Sequence, residues 1–138
     1  MARPVDPRVD YAFKKVFSNL KVLKHFLNDV FADEPFTIAS VTLLNPINER
    51  DSASEKLSIV DIKAMDDAGR TFQIEIQLSV DAWLPIRMLF TLASVFVKTM
   101  KKGDEYQKLK PVYGIWVLGR NLIKRYETDQ LRTKSWVH

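Results

Sequence analysis

Between residues 57 and 80 apolar and polar side chains alternate with a period of two, interrupted once by Asp67-Ala68-Gly69. After the interruption Phe72, Ile74, Ile76, Leu78 and Val80 alternate with Thr71, Gln73, Glu75, Gln77 and Ser79. Before it Val60, Ile62 and Ala64 share one parity, and Asp61 and Lys63 the other. A period of two marks a strand with one buried face, so the stretch predicts a β-hairpin. Asp67-Ala68-Gly69 fits a three-residue hairpin loop, with glycine taking the positive φ at its last position. Such a loop pairs Asp66 with Arg70 and brings Asp61 opposite Glu75. A loop one residue longer would reverse the parity and set Asp61 among apolar side chains, a buried charge with no obvious partner. The register therefore groups Asp61, Glu75 and Gln77 on one face.

Upstream, Val9, Phe13, Val16, Phe17, Leu20, Leu23, Leu27, Val30 and Phe31 recur at helical spacing. They predict a helix, or a helix pair broken near Ser18-Asn19, packed on a sheet. Asp6-Pro7 supplies an N-cap and a first helical residue, and Asp33-Glu34-Pro35 ends the segment. Residues 36–44 read as a strand, with Thr37, Ala39, Val41 and Leu43 on one parity, and residues 45–56 as a polar loop. Downstream, residues 81–102 predict a helix with Pro85 in its first turn and Lys101-Lys102-Gly103 at its end. Ile86, Leu89, Phe90, Ala93, Phe96, Val97 and Met100 form its main stripe, widened by Leu84, Met88, Leu92 and Val95. So broad an apolar surface implies a largely buried crossover helix. Residues 112–118 are apolar throughout and predict a buried strand. Strand, helix, strand in that order implies a parallel, right-handed crossover. Trp83 and Trp116 are expected in the core.

Composition narrows the class. The chain has 138 residues, one domain's worth, and 46% of them are hydrophobic, enough for a real core. A net charge of +4 suits a nucleic-acid partner without requiring one. The absence of cysteine excludes disulfides, thiolate metal sites and cysteine nucleophiles. The polar N-terminus is not a signal peptide, and Arg87 and Lys98 interrupt the longest apolar stretch, so no membrane span is expected. A cytoplasmic protein follows as the default. The division expected is a folded domain over residues 1–120 and a basic tail over 121–138, a truncated or degraded end or the start of a longer protein. The cluster from Arg120 to Lys134 either tracks a DNA backbone or is simply solvated.

Directly opposed strand residues have Cβ atoms roughly 5 Å apart, so the Asp61 and Glu75 carboxylates can share one Mg²⁺ or Mn²⁺ ion. The backbone carbonyl of Ile76, between Glu75 and Gln77, can add a ligand. An ion there would bind a phosphodiester oxygen, lower the pKa of a bound water and stabilise the pentacovalent charge. Gln77 could orient that water. The plain alternative is an amphipathic hairpin whose polar face meets solvent. Asp10 is either a further acid of the site or a cap or first-turn charge, and Arg87 either reaches toward the site and a phosphate, or snorkels or pairs with an acid. Lys14 and Lys15 either meet phosphate or form a solvated helix face, and His25 is either polar surface or a functional residue.

The run KLSIVDIKAMDDAGRTFQIEIQ, with DYAFKKVF upstream and IRM in the following helix, resembles the recombination-promoting nuclease and putative transposase family of the PD-(D/E)XK nuclease superfamily. The resemblance covers roughly residues 7–120. It implies an α/β, restriction-endonuclease-like core, a mixed central sheet flanked by helices in the order helix, three strands, helix, strand. The elements predicted above have that order. It also implies a DNA partner and a Mg²⁺- or Mn²⁺-dependent endonuclease acting in recombination or mobile-element movement. By position, Asp61 and Glu75 match the metal-binding acids, Asp10 the acid beginning the first helix, and Gln77 the position that is lysine across most of the superfamily. Glutamine is usual in this family, but it cannot lend positive charge to a nucleophile or phosphate. Such an enzyme would lean more on its metal. Nucleases that cut both strands often form a homodimer, though no stretch here identifies an interface. A degenerate nuclease fold that binds DNA or another partner without cutting it is the alternative, and RNA as substrate is a third.

Overall fold

Asn19 divides the N-terminal apolar segment into two helices, α1 (Pro7–Phe17) and α2 (Leu20–Val30), in a computed structural model that describes residues 7–44, 61–77 and 80–119. Its side-chain Oδ1 accepts the N–H groups of Lys21 (3.1 Å) and Val22 (3.3 Å), capping α2. Phe17 bridges the break, with its ring 4.8 Å from Phe13 on one side and 4.8 Å from Phe26 on the other. Buried Leu23 and Leu27 then point α2 at the sheet.

The sheet has four strands in the order β1 (Val41–Leu43), β2 (Asp61–Asp66), β3 (Thr71–Gln77), β4 (Val112–Leu118). The first three pair antiparallel, and β3 pairs with β4 parallel across the crossover helix α3 (Leu84–Lys98). The result is the mixed α/β sheet expected from the pattern. Strand β1 is shorter than the predicted 36–44. The preceding residues are pinned by side chains instead of a ladder. Asn28 of α2 accepts the Ile38 N–H at 2.8 Å and donates to the Ile38 carbonyl at 3.0 Å. Asp67 Oδ1 accepts the N–H groups of Ala39 (3.2 Å) and Ser40 (3.3 Å). Ile38 and Val41 are both buried, so strict alternation breaks between them.

The hairpin turn is the three-residue loop that the parity required. Gly69 has φ +82° and Asp66 N–H donates to the Arg70 carbonyl at 3.0 Å. Asp66 Oδ1 accepts Ala68 N–H (3.0 Å) and Arg70 N–H (2.8 Å), and Oδ2 accepts Arg70 Nε at 2.7 Å. Arg70 in turn lies over the Phe36 ring, 3.8 Å from its centroid. With the turn so fixed, Asp61 pairs with Glu75. Ile62, Ala64, Phe72 and Ile74 are buried together with Ile115 against Leu23, Leu27 and Phe31.

Helix α3 is where the pattern misleads. It is shorter than the predicted 81–102, and the stripe expected inside faces out. Leu89 is 67% exposed and Phe90 73%, whereas Leu84, Met88 and Val95 are buried. Trp83, expected in the core, is 69% exposed. A helix apolar on most sides has no direction that periodicity can resolve, and the narrower row is the one that meets the sheet. Among the described residues, no helix is long and apolar enough to cross a membrane.

Two outcomes follow for stability. Met88→Ala should cost about 2–5 kcal/mol by denaturant unfolding, and Phe90→Ala should stay within about 0.5 kcal/mol. The reverse order would mean that the Phe90 side packs on the sheet. The Ser40 N–H, foremost, and the Ala39 N–H hold the Asp67 carboxyl below the usual carboxylate range. A depressed folded-state pKa gives stability that is present above the unfolded value of about 3.9 and lost as pH falls through the folded one. Asp67→Asn should therefore be less stable than the parent at pH 7, with that part of the gap closing on acidification below pH ~4.

Candidate functional site

Buried polar residues collect on the sheet face opposite the α1–α2 core. Thr71, Gln73 and Glu75 take every second position of β3, and none is open to solvent, with Gln73 1% and Glu75 8% exposed. An ordinary solvated face would leave these side chains in water. Instead α3 lies over this side of the sheet. Leu92 Cδ1 sits 3.3 Å from where a Cβ on Gly114 would be, and Gly114 is in register with Gln73.

Backbone register assembles the neighbours. Asp61 of β2 is opposite Glu75, and Lys63 is opposite Gln73. On the other side of β3, Trp116 is opposite Glu75 and Leu118 opposite Gln77. Opposed residues project to the same face. Asp61, Lys63, Gln73, Glu75, Gln77 and Trp116 therefore occupy adjoining positions on three strands. Lys63, Ile76, Gln77 and Trp116 are half-buried.

The Glu75 carboxylate is held at both oxygens. Gln73 Nε2 donates to Oε1 at 3.0 Å, and the Trp116 indole Nε1–H donates to Oε2 at 2.9 Å. Both donors are uncharged, so they orient the carboxylate without neutralising it. The Asp61 and Glu75 carboxylates with the Ile76 carbonyl would make an all-oxygen donor set, which suits a hard divalent cation that keeps several waters. No group of three or more His, Cys, Asp or Glu side chains comes together among the described residues.

The remaining sequence candidates lie elsewhere. Arg87 is exposed, and its Nη2 pairs with Asp81 Oδ2 at 3.3 Å, which is the acid pairing that its position allowed for. Lys15 is exposed beside the Tyr11 ring, and His25 is exposed. Asp10 falls within α1 and Asp61 within β2 by backbone, and their side chains lie outside the described residues. So do Asp6, the loop at 45–56 and the cluster from Arg120 to Lys134. A cavity of about 210 Å³, lined by Met65, Thr71, Thr99, Asp104 and Lys110 among others, opens at the turn end of the hairpin and includes none of the grouped residues.

Sequence reasoning missed two participants. Gln73 carried a usable signal, since its parity is that of Glu75. Trp116 carried none. It meets Glu75 only through the parallel pairing of strands whose contact residues are 41 positions apart.

Helices, an antiparallel hairpin bearing opposed acids, and a helical crossover to a parallel fourth strand make a mixed α/β domain consistent with a PD-(D/E)XK nuclease-like fold. The sequence model of the PD-(D/E)XK nuclease family transposases matches residues 7–136, and the chain belongs to that family. The match runs past residue 120, into the segment expected as a tail. No curated protein matches the chain significantly, and neither does any solved structure.

Proposed function

We propose that this protein is a metal-dependent endodeoxyribonuclease that hydrolyses DNA phosphodiester bonds during recombination or mobile-element movement. Its family supports a nuclease-type function. The observation that carries the finer proposal is the pairing of Asp61 with a Glu75 that is buried and oriented at both oxygens. A buried, hydrogen-bonded carboxylate opposite a second acid has no evident purpose in a plain solvated hairpin.

Asp61, Glu75 and the Ile76 carbonyl would hold Mg²⁺ or Mn²⁺. When bound, that ion supplies a more acidic water and neutralises charge developing on the phosphoryl oxygens. Gln77 carries an amide that both donates and accepts, and it orients the attacking water by hydrogen bonding. It brings no charge. Lys63 is in register with Gln73, and its positive charge would add to the attraction of the scissile phosphate. Cutting both strands would call for two copies of the chain or two successive encounters.

A second proposal rests on Gln77 itself. With a neutral amide at that position, the domain would bind DNA without cutting it.

Nicking of supercoiled plasmid in Mg²⁺ or Mn²⁺ separates the two. Asp61→Asn and Glu75→Gln should each lower the rate at least about 10²-fold, with unchanged circular dichroism. Equal cleavage by parent and variants would place the activity outside this site. DNA binding with no cleavage in either metal would favour the second proposal. Lys63→Met should weaken DNA binding, reduce its salt dependence and slow nicking. Unaltered binding and rate would remove Lys63 from the mechanism.

A further inference from the structure

We infer that Trp116 is a positioning residue for the metal site, acting on Glu75 through its indole N–H. The inference rests on the assignment of Glu75 as a metal ligand made above. Three observations converge on it. Parallel register sets Trp116 directly beside Glu75, and Nε1 reaches Oε2 at 2.9 Å. Gly114, two residues earlier on the same face, leaves the room in which the indole lies. A Cβ there would overlap Cζ3 and Cη2 of the six-membered ring. Finally, α3 closes the same spot through Leu92. The ring is thus lodged between the backbone of β4 and the helix above it, and its one polar atom is aimed at one carboxylate oxygen.

The chemistry of the indole suits that task. Its N–H only donates. It can fix a carboxylate oxygen but cannot itself bind a cation or take up a proton near neutral pH. A tyrosine, histidine or carboxylate in the same place would compete as a ligand or base. A neutral donor also orients the carboxylate without itself adding charge to the site. Gln73 performs the equivalent service at Oε1, so the carboxylate is held from both sides along the sheet. Groups that orient a ligand in this way typically contribute 10–100-fold in metal affinity.

The test uses the full chain, with Mn²⁺ titrated calorimetrically and Tb³⁺ followed by luminescence. Trp116→Phe keeps an aromatic ring over Gly114 and removes the donor. It should weaken Mn²⁺ binding about 10–100-fold. In plasmid nicking, the Mn²⁺ concentration at half-maximal rate should rise by the same factor, with a smaller change at saturation. Gly114→Ala keeps the N–H but displaces the ring, and it should produce the same loss. Site-specific replacement of Trp116 by 3-benzothienylalanine preserves the shape and deletes only the N–H, so it decides the matter if Trp116→Phe does not fold. Unchanged Mn²⁺ affinity in that variant, with at most a lower Tm, would reduce Trp116 to a packing residue and overturn the inference. If Asp61→Asn and Glu75→Gln leave Mn²⁺ binding intact, the metal-site assignment itself fails, an outcome distinct from failure at Trp116 alone.

Discussion

The carboxylate of Asp66, buried at the end of β2, accepts two backbone N–H groups of the turn and the Arg70 guanidinium. Hydrogen bonds to a charged group contribute about 1.5–3 kcal/mol each. They hold Arg70 directly across from Asp66, and every pairing further along the hairpin follows from that one. The apolar pattern pulls the same way. Shifting β3 by one position would expel Phe72 and Ile74 from the core, at about 1.5–3 kcal/mol for each side chain. It would also drive Gln73 and Glu75 into hydrocarbon. Turn chemistry and burial therefore select one register between them. The opposition of Asp61 and Glu75 comes with it.

Both sides of this sheet are covered, and they are covered differently. Helices α1 and α2 meet a continuous hydrocarbon surface on one side. Helix α3 meets the polar side, and only Leu84, Met88 and Val95 of it are buried. A helix can lie over polar strands at tolerable cost only if those polar groups bond among themselves, because an unsatisfied buried group costs roughly 1–3 kcal/mol and a charged one more. The Gln73 amide N–H and the Trp116 indole N–H both bond to the Glu75 carboxylate in this way within the sheet. The functional face and the crossover packing are thus one arrangement, and disturbing either strains the other.

Local features were the legible ones. The Asn19 break, the glycine turn and the opposition of Asp61 with Glu75 each follow from a few adjacent residues whose geometry admits little choice. Remote partners were not legible. Residues 36–40 look like a strand by alternation, yet Asn28 and Asp67 hold their backbone, which no local pattern announces. The apolar breadth of α3 conceals which side faces inward, so its main stripe points Leu89 and Phe90 to the interior that Met88 occupies. Trp116 read as a core residue because its strand is apolar throughout. Only the parallel register gives its one polar atom a destination.

That register also separates two kinds of contact by their distance along the chain. Hairpin β2–β3 closes a three-residue loop, at small entropic cost. The indole that steadies Glu75 comes from 41 positions away, across α3, and its contact closes a far longer loop. The helix that shuts water out and the donor that replaces it lie on the same arm of the chain. A change that undocks that arm removes cover and donor together, and returns the carboxylate to water, where its charge is cheap to keep.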